Sequence, residues 1–107
     1  MSERAQAHVT RFNEAVRGGD WKAFAATFTD DATMVFTNVP AGPFTGRDEI
    51  LAGYEAQPPD DTMTVTAVEP VDPDTDRVRF AWDAGGPGTM LLRWRGPQVA
   101  ALEITFG

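Results

Sequence analysis

The sequence has no cysteine and a single histidine, His8. Disulfides, thiolate nucleophiles and cysteine-bound metals are thereby excluded, and so is a histidine cluster for zinc. Cations are scarce as well: nine Lys and Arg stand against sixteen Asp and Glu, for a formal net charge of -7. Such a surface repels nucleic-acid phosphates and anionic lipid heads, so neither nucleic acid nor membrane is expected as a partner. No apolar run approaches the ~20 residues of a membrane span. The opening "MSERAQAHVTRFNEAV" is charged and interrupted throughout, unlike a signal or transit peptide, and a cytoplasmic location is expected. No G-x-G-x-x-G or phosphate loop occurs, and "AGGPG" reads as a hairpin turn because no helix follows it. No cofactor and no metal is expected.

What is present is an ordinary globular composition, 42% hydrophobic and 23% charged over 107 residues. That length supports one hydrophobic core, hence a single domain over 1–107, without repeat, low-complexity tract or linker.

Ala5, His8, Val9, Phe12, Ala15 and Val16 recur at helical spacing, with Ser2 as N-cap and Gly18-Gly19 as stop. Asp20 caps a short second helix whose apolar face is Trp21, Phe24, Ala25 and Phe28, ending near Asp30-Asp31. "ATMVFTN" reads as a strand and "VPAGP" as a loop. Thr45 or Gly46 opens a third helix with Ile50, Leu51 and Tyr54 on one face, and Pro58-Pro59 stops it. From Met63 the pattern turns to strands: "MTVTAVEP", "RVRFAWDA", "TMLLRWR" and "VAALEITF", separated by "VDPDTD", "GGPG" and "GPQ". Helices followed by an antiparallel meander predict an α+β fold, with helices on one face of a curved sheet.

Pairing apolar residues with apolar ones predicts registers. A three-residue loop Gly96-Pro97-Gln98 sets Arg95 beside Val99, Leu92 beside Leu102 and Met90 beside Ile104. The same rule sets Val78, Phe80 and Trp82 beside Trp94, Leu92 and Met90. The inner face is then apolar, while Arg77, Arg79, Asp83, Arg93, Arg95 and Glu103 point outward.

"RFNEAVRGGDWKAFAATFTDDATMVF" followed by "FTGRDEILAGY" resembles the nuclear transport factor 2-like superfamily, in its ketosteroid isomerase and SnoaL-type polyketide cyclase branch. The elements that carry the likeness are the helix ending in "GGD", the "F-x-D-D-A-T" before the first strand and the "G-R-D-E-I" opening the third helix. The match runs from about Arg11 to Tyr54; beyond it rest only the strand count, "LRWRG" and "ITFG". The resemblance implies a cone-shaped, curved, antiparallel or mixed sheet of the cystatin-like, ketosteroid isomerase-like type. Three N-terminal helices would close a deep pocket on its concave face, and the assembly would be a homodimer. Carried across residue by residue, the isomerase machinery is largely missing. Its oxyanion-hole tyrosine matches Phe12, its base aspartate matches Phe36 and its protonated aspartate matches Met90. A second tyrosine is kept as Tyr54, and a supporting tyrosine matches Phe28. Phenylalanine and methionine neither abstract a proton nor donate to an oxyanion, so the isomerase reaction is not expected.

The remaining candidates are few. Asp30-Asp31 reads as solvated turn residues between helix and strand. "DPDTDR" lacks the glycine of a calcium loop, having Arg77 in that place, and lacks the flanking helix. Candidate catalytic groups reduce to Tyr54, Asn38 and His8, and a half-buried packing role is the ordinary alternative for His8. Candidate pocket residues are Phe12, Phe36, Asn38, Tyr54, Met63, Trp82 and Met90, which could equally be a packed core. Three functions follow. The first is a protein binding a small apolar molecule of polyketide, steroid or lipid type, oriented by Tyr54 and Asn38. The second is a cyclase or isomerase/lyase with another constellation around Tyr54. The third is a ligand-free dimerisation module.

Overall fold

The computed structural model describes residues 3–37 and 42–106. The predicted N-cap Ser2 and the candidate Asn38 lie outside them. Helix α1 spans Glu3–Gly18, α2 Trp21–Ala25 and α3 Arg47–Ala56. Strands are β1 (Phe28–Thr37), β2 (Phe44–Thr45), β3 (Met63–Asp72), β4 (Thr75–Trp82), β5 (Pro87–Arg95) and β6 (Gln98–Phe106). They form one mixed sheet in the order β2-β1-β6-β5-β4-β3, in which only β1 and β6 run parallel. The fold is α+β, with a curved, unclosed sheet against which the helices pack.

Each helix follows from its local sequence. In α1, Ala5, His8, Val9, Phe12 and Ala15 are the buried face, with Glu3 in the first turn and Arg17 in the last, each favourable to the helix dipole. Asp20 Oδ1 accepts from Ala23 N at 3.1 Å and starts α2. Gly46, at φ +90°, precedes α3, and Glu49 Oε1 reaches back to accept from Thr45 N at 3.0 Å. The chain leaves α3 at Gln57, ahead of the two prolines.

The second helix is shorter than predicted. Phe28 is fully buried as the first residue of β1, and Asp30 and Asp31 lie within that strand rather than in a turn. Local spacing could not reveal this, because what holds Phe28 in the sheet is distant. Arg47 donates from Nε and NH2 to Phe28 O at 3.1 and 2.6 Å, and its NH1 pairs with Asp30 at 2.9 Å. Asp31 accepts from Thr29 and Arg95, whose hydrogen bonds hold its carboxyl below the usual range. Phe44 and Thr45, of which Thr45 was a candidate opening of the third helix, form β2 against β1.

Registers differ from expectation in two places. Between β4 and β5, Val78 faces Met90, Phe80 faces Gly88 and Asp76 faces Leu92, a slide of four residues from the predicted pairing. Trp82 is therefore beside Met63 of β3 and not beside Met90. In the last hairpin Leu92–Leu102 and Met90–Ile104 pair as predicted, but Arg95 meets Gln98 and Trp94 meets Val99. The loop is the two residues Gly96-Pro97, and Ala100 is the extra residue of a bulge. Bulges here, between Val65 and Ala67, and between Phe28 and Thr33 sharpen the local twist and help bend the sheet.

The core joins the helices to the inner sheet face through Phe24, Phe28, Met34, Ile50, Val78, Leu92, Val99 and Leu102. One carboxylate is buried among them. Asp76, read from sequence as part of a turn, accepts from Trp94 Nε1 at 3.1 Å and from Arg4 Nε at 3.0 Å. Its burial also separates it from Asp72, whose Oδ1 accepts from Asp74 N in the adjoining turn. The acidic run therefore does not converge on one point, and the described residues contain no group of metal-ligating side chains.

Candidate functional site

A cavity of about 300 Å³ opens between the helices and the inner sheet face. Its walls come from α1 (His8, Phe12), β1 (Phe36), α3 (Tyr54), the α3–β3 connection (Pro59, Asp60, Asp61) and the four last strands (Met63, Phe80, Trp82, Met90, Leu102, Ile104). His8, Phe12, Tyr54, Met63, Phe80, Met90, Leu102 and Ile104 are buried and form its interior. Phe36, Pro59, Asp61 and Trp82 are half-buried and Asp60 is exposed, which marks the mouth.

Backbone periodicity explains the placement. His8 and Phe12 are one turn apart on α1 and share its inner face. Phe80 and Trp82 alternate inward on β4, as Leu102 and Ile104 do on β6. Asn13, next to Phe12, fastens the rim: its Nδ2 donates to Met63 O at 2.8 Å and its Oδ1 accepts from Met63 N at 2.9 Å. Phe12 sits at the centre of an aromatic cluster, 5.8 Å from Trp21, 6.5 Å from Tyr54 and 6.0 Å from Trp82. Behind Tyr54, Trp21 stacks parallel to its ring at 4.7 Å and fixes it.

Of the residues singled out from sequence, Phe12, Phe36, Tyr54, Met63, Trp82 and Met90 all border this one cavity, and so does His8. Trp94, which the predicted register sets on the inner face, belongs to the Asp76 cluster. Sequence reasoning missed Asp60 and Asp61, because Pro58-Pro59 signalled only a helix stop. Phe80, Leu102 and Ile104 lie on the inner face that strand alternation predicts, and that alternation is the sequence signal for their presence in the wall.

His8 and Tyr54 are the polar groups of the interior. His8 is fully buried rather than half-buried, with its ring 5.3 Å from Phe24, 5.8 Å from Phe28 and 6.4 Å from Trp94. Desolvation, with a smaller contribution from the positive charge of Arg11, pushes its pKa down to about 4. Burial raises the Tyr54 phenol above its ordinary value. At neutral pH the cavity therefore presents an uncharged imidazole and a protonated phenol. Both rings border the cavity.

The three positions matched to isomerase machinery are apolar side chains on the wall, Phe12, Phe36 and Met90. No carboxylate reaches the interior among the described residues. The arrangement can desolvate and orient a small molecule, and it offers one phenol donor and one weakly basic nitrogen.

The SnoaL-like domain model matches residues 9–104. The chain belongs to the SnoaL-like family. A search of curated proteins returned no match. Among solved structures, this SnoaL-like chain is similar to a SnoaL-like protein of unknown function from Burkholderia thailandensis, at 14% identity and a TM-score of 0.77, covering 100% of this chain and 97% of that one. It is also similar to a Catenulispora acidiphila protein with a ketosteroid isomerase-like fold, in complex with trimethylamine. There the identity is 22% and the TM-score 0.72, over 91% of this chain and 82% of that one. An NTF2-like protein of unknown function from Burkholderia pseudomallei gives 17% identity and a TM-score of 0.74, over 100% and 92%. At these identities the likeness is one of fold. Among the described residues no helix is long and apolar enough to cross a membrane.

Proposed function

We propose that this SnoaL-like protein is a binding protein that takes a small, largely apolar molecule into the cavity behind Phe36 and Trp82, and that it does not catalyse ketosteroid isomerisation. The observation that carries the reading is a cavity of about 300 Å³ whose interior wall is apolar apart from His8 and Tyr54. Burying apolar ligand surface there is worth ~25 cal/mol per Å² before entropy costs. One polar end of the ligand would seek Tyr54, whose ring borders the cavity. The trimethylamine complex of the Catenulispora protein supports small-molecule occupancy of this fold. A cytoplasmic homodimer belongs to the same proposal.

The test is a fluorescence titration with a panel of polycyclic and aliphatic compounds, alongside native mass spectrometry, which reports retained ligand and subunit number together. Saturable quenching that Trp82→Phe largely removes and that Tyr54→Phe weakens is expected. A panel without any saturable response would overturn the reading in favour of a ligand-free dimerisation module.

A second reading, a cyclase or isomerase/lyase with Tyr54 as proton donor, is favoured by one observation: His8 and Tyr54 border the same cavity. Turnover following a group near pH 4 and abolished by His8→Gln would support it.

A further inference from the structure

We infer that the occupant of this cavity is a small organic cation, a methylated or alkylated ammonium with an apolar body, and that anions are rejected. The inference rests on the binding reading above and adds the ligand's charge. Of the thirteen described residues bordering the cavity, the only ones with a formal charge at neutral pH are Asp60 and Asp61. Among the described residues no lysine or arginine borders it. Neither carboxylate belongs to any of the four ion pairs among the described residues; Asp61 Oδ2 accepts only a backbone bond, from Ala84 N at 2.9 Å.

Two uncompensated negative charges at the mouth of a cleft with low-dielectric walls give it a negative potential, which concentrates cations and repels carboxylates, sulfates and phosphates. The chain's net charge of -7 acts in the same direction at longer range.

The walls suit the same ligand class. Phe12, Phe36, Tyr54, Phe80 and Trp82 supply five aromatic rings from four separate elements. An ammonium held against ring faces is attracted by their quadrupoles, and its methyl groups bury apolar surface at the same time. An ammonium N–H would also find acceptors in the unprotonated His8 ring and the Tyr54 oxygen. An anion would find the Tyr54 hydroxyl and no cation. A volume of about 300 Å³ limits the occupant to a free small molecule rather than a membrane lipid.

The experiment compares three probes of one shape: benzyltrimethylammonium, its uncharged carbon isostere neopentylbenzene, and the phenylmethanesulfonate anion. Binding is read by tryptophan fluorescence and by NMR shifts of the Met63 and Met90 methyl groups. The cation should bind about tenfold or more tighter than the isostere, a difference of about 1.4 kcal/mol, and the anion should not bind. Asp60→Asn with Asp61→Asn should bring the cation's affinity down toward that of the isostere. Equal affinity for cation and isostere would overturn the charge inference while leaving an apolar pocket in place. A cation preference that survives the double substitution, or that moves neither methionine methyl, would assign the effect to the acidic surface and also overturn it. Binding of none of the three would remove the pocket reading together with the inference.

Discussion

The ring of Phe80 lies over Gly88, its cross-strand partner on β5, so closely that a Cβ at Gly88 would come within 2.3 Å of Phe80 Cζ and 2.8 Å of Cε2. The missing side chain lets a large ring fold onto the neighbouring strand while it forms part of the cavity wall. Gly88→Ala must therefore displace the ring. The expected outcome is a loss of about 1–3 kcal/mol from overpacking, read from a urea unfolding midpoint, together with weakened ligand binding. An alanine variant with parental stability and unchanged Phe80 ring resonances would contradict this account.

Asn13 replaces a strand neighbour for Met63 by satisfying both of its backbone groups. Asn13→Ala should destabilise the protein by about 1–3 kcal/mol, since it leaves a half-buried donor and acceptor unmade. Asn13→Asp, which keeps the acceptor and loses the donor, should fall between the two. Because Met63 borders the cavity, hydrogen exchange at its amide should accelerate in both variants, and an unchanged exchange rate would refute the tie.

Stability should fall as the pH drops from 6.5 to 4. His8 has a folded-state pKa lowered from 6.5 to about 4, so the unfolded chain binds the extra proton throughout that window. The stabilisation associated with neutral His8 is fully present above pH 6.5, declines below it and is gone below about pH 4. Its size is about 3 kcal/mol. In His8→Phe the slope of stability against pH should flatten across this window. Asp31 and Asp83, whose folded pKa values are lowered by their hydrogen bonds, add losses in the same direction only at lower pH, below about 3.8. A wild-type slope that persists in His8→Phe would show that another group titrates there.

No isomerisation of a β,γ-unsaturated ketosteroid is expected above the rate of a pocket-free control. Losing a single oxyanion donor costs about 100- to 1,000-fold, and here Phe12, Phe36 and Met90 supply neither a base nor a donor at the three matched positions on the wall. Spectrophotometric turnover that Tyr54→Phe abolishes would disprove this.

Element types were legible in the residues because they depend on neighbours in the chain. The α1 face, the Asp20 cap, the opening of α3 at Gly46 and the four last strands follow from spacing and turn chemistry alone. Strand faces were legible for the same reason. A slide of four residues between β4 and β5 preserves the two-residue alternation, so Val78, Phe80 and Trp82 stay inward despite the changed partners.

Register, burial of charge and open volume were decided only by tertiary structure. Hydrophobic matching favours the predicted register of β4 on β5, since in the observed one Asp76 faces Leu92 and Phe80 faces Gly88. The observed one sets Gly88 under Phe80 and carries Asp76 into the core, where Arg4, 72 positions away, and Trp94 meet its carboxylate. Phe28 left its apparent helix for the sheet because Arg47 and β6 hold its backbone there. Whether Phe12, Phe36 and Trp82 wall a cavity or fill one depends on how far the bent sheet stands from α1, a distance set by bulges and by the Asn13–Met63 tie. Spacing along a chain does not encode that distance, which is why the amino-acid pattern named the wall residues and the folded chain alone supplied the space between them.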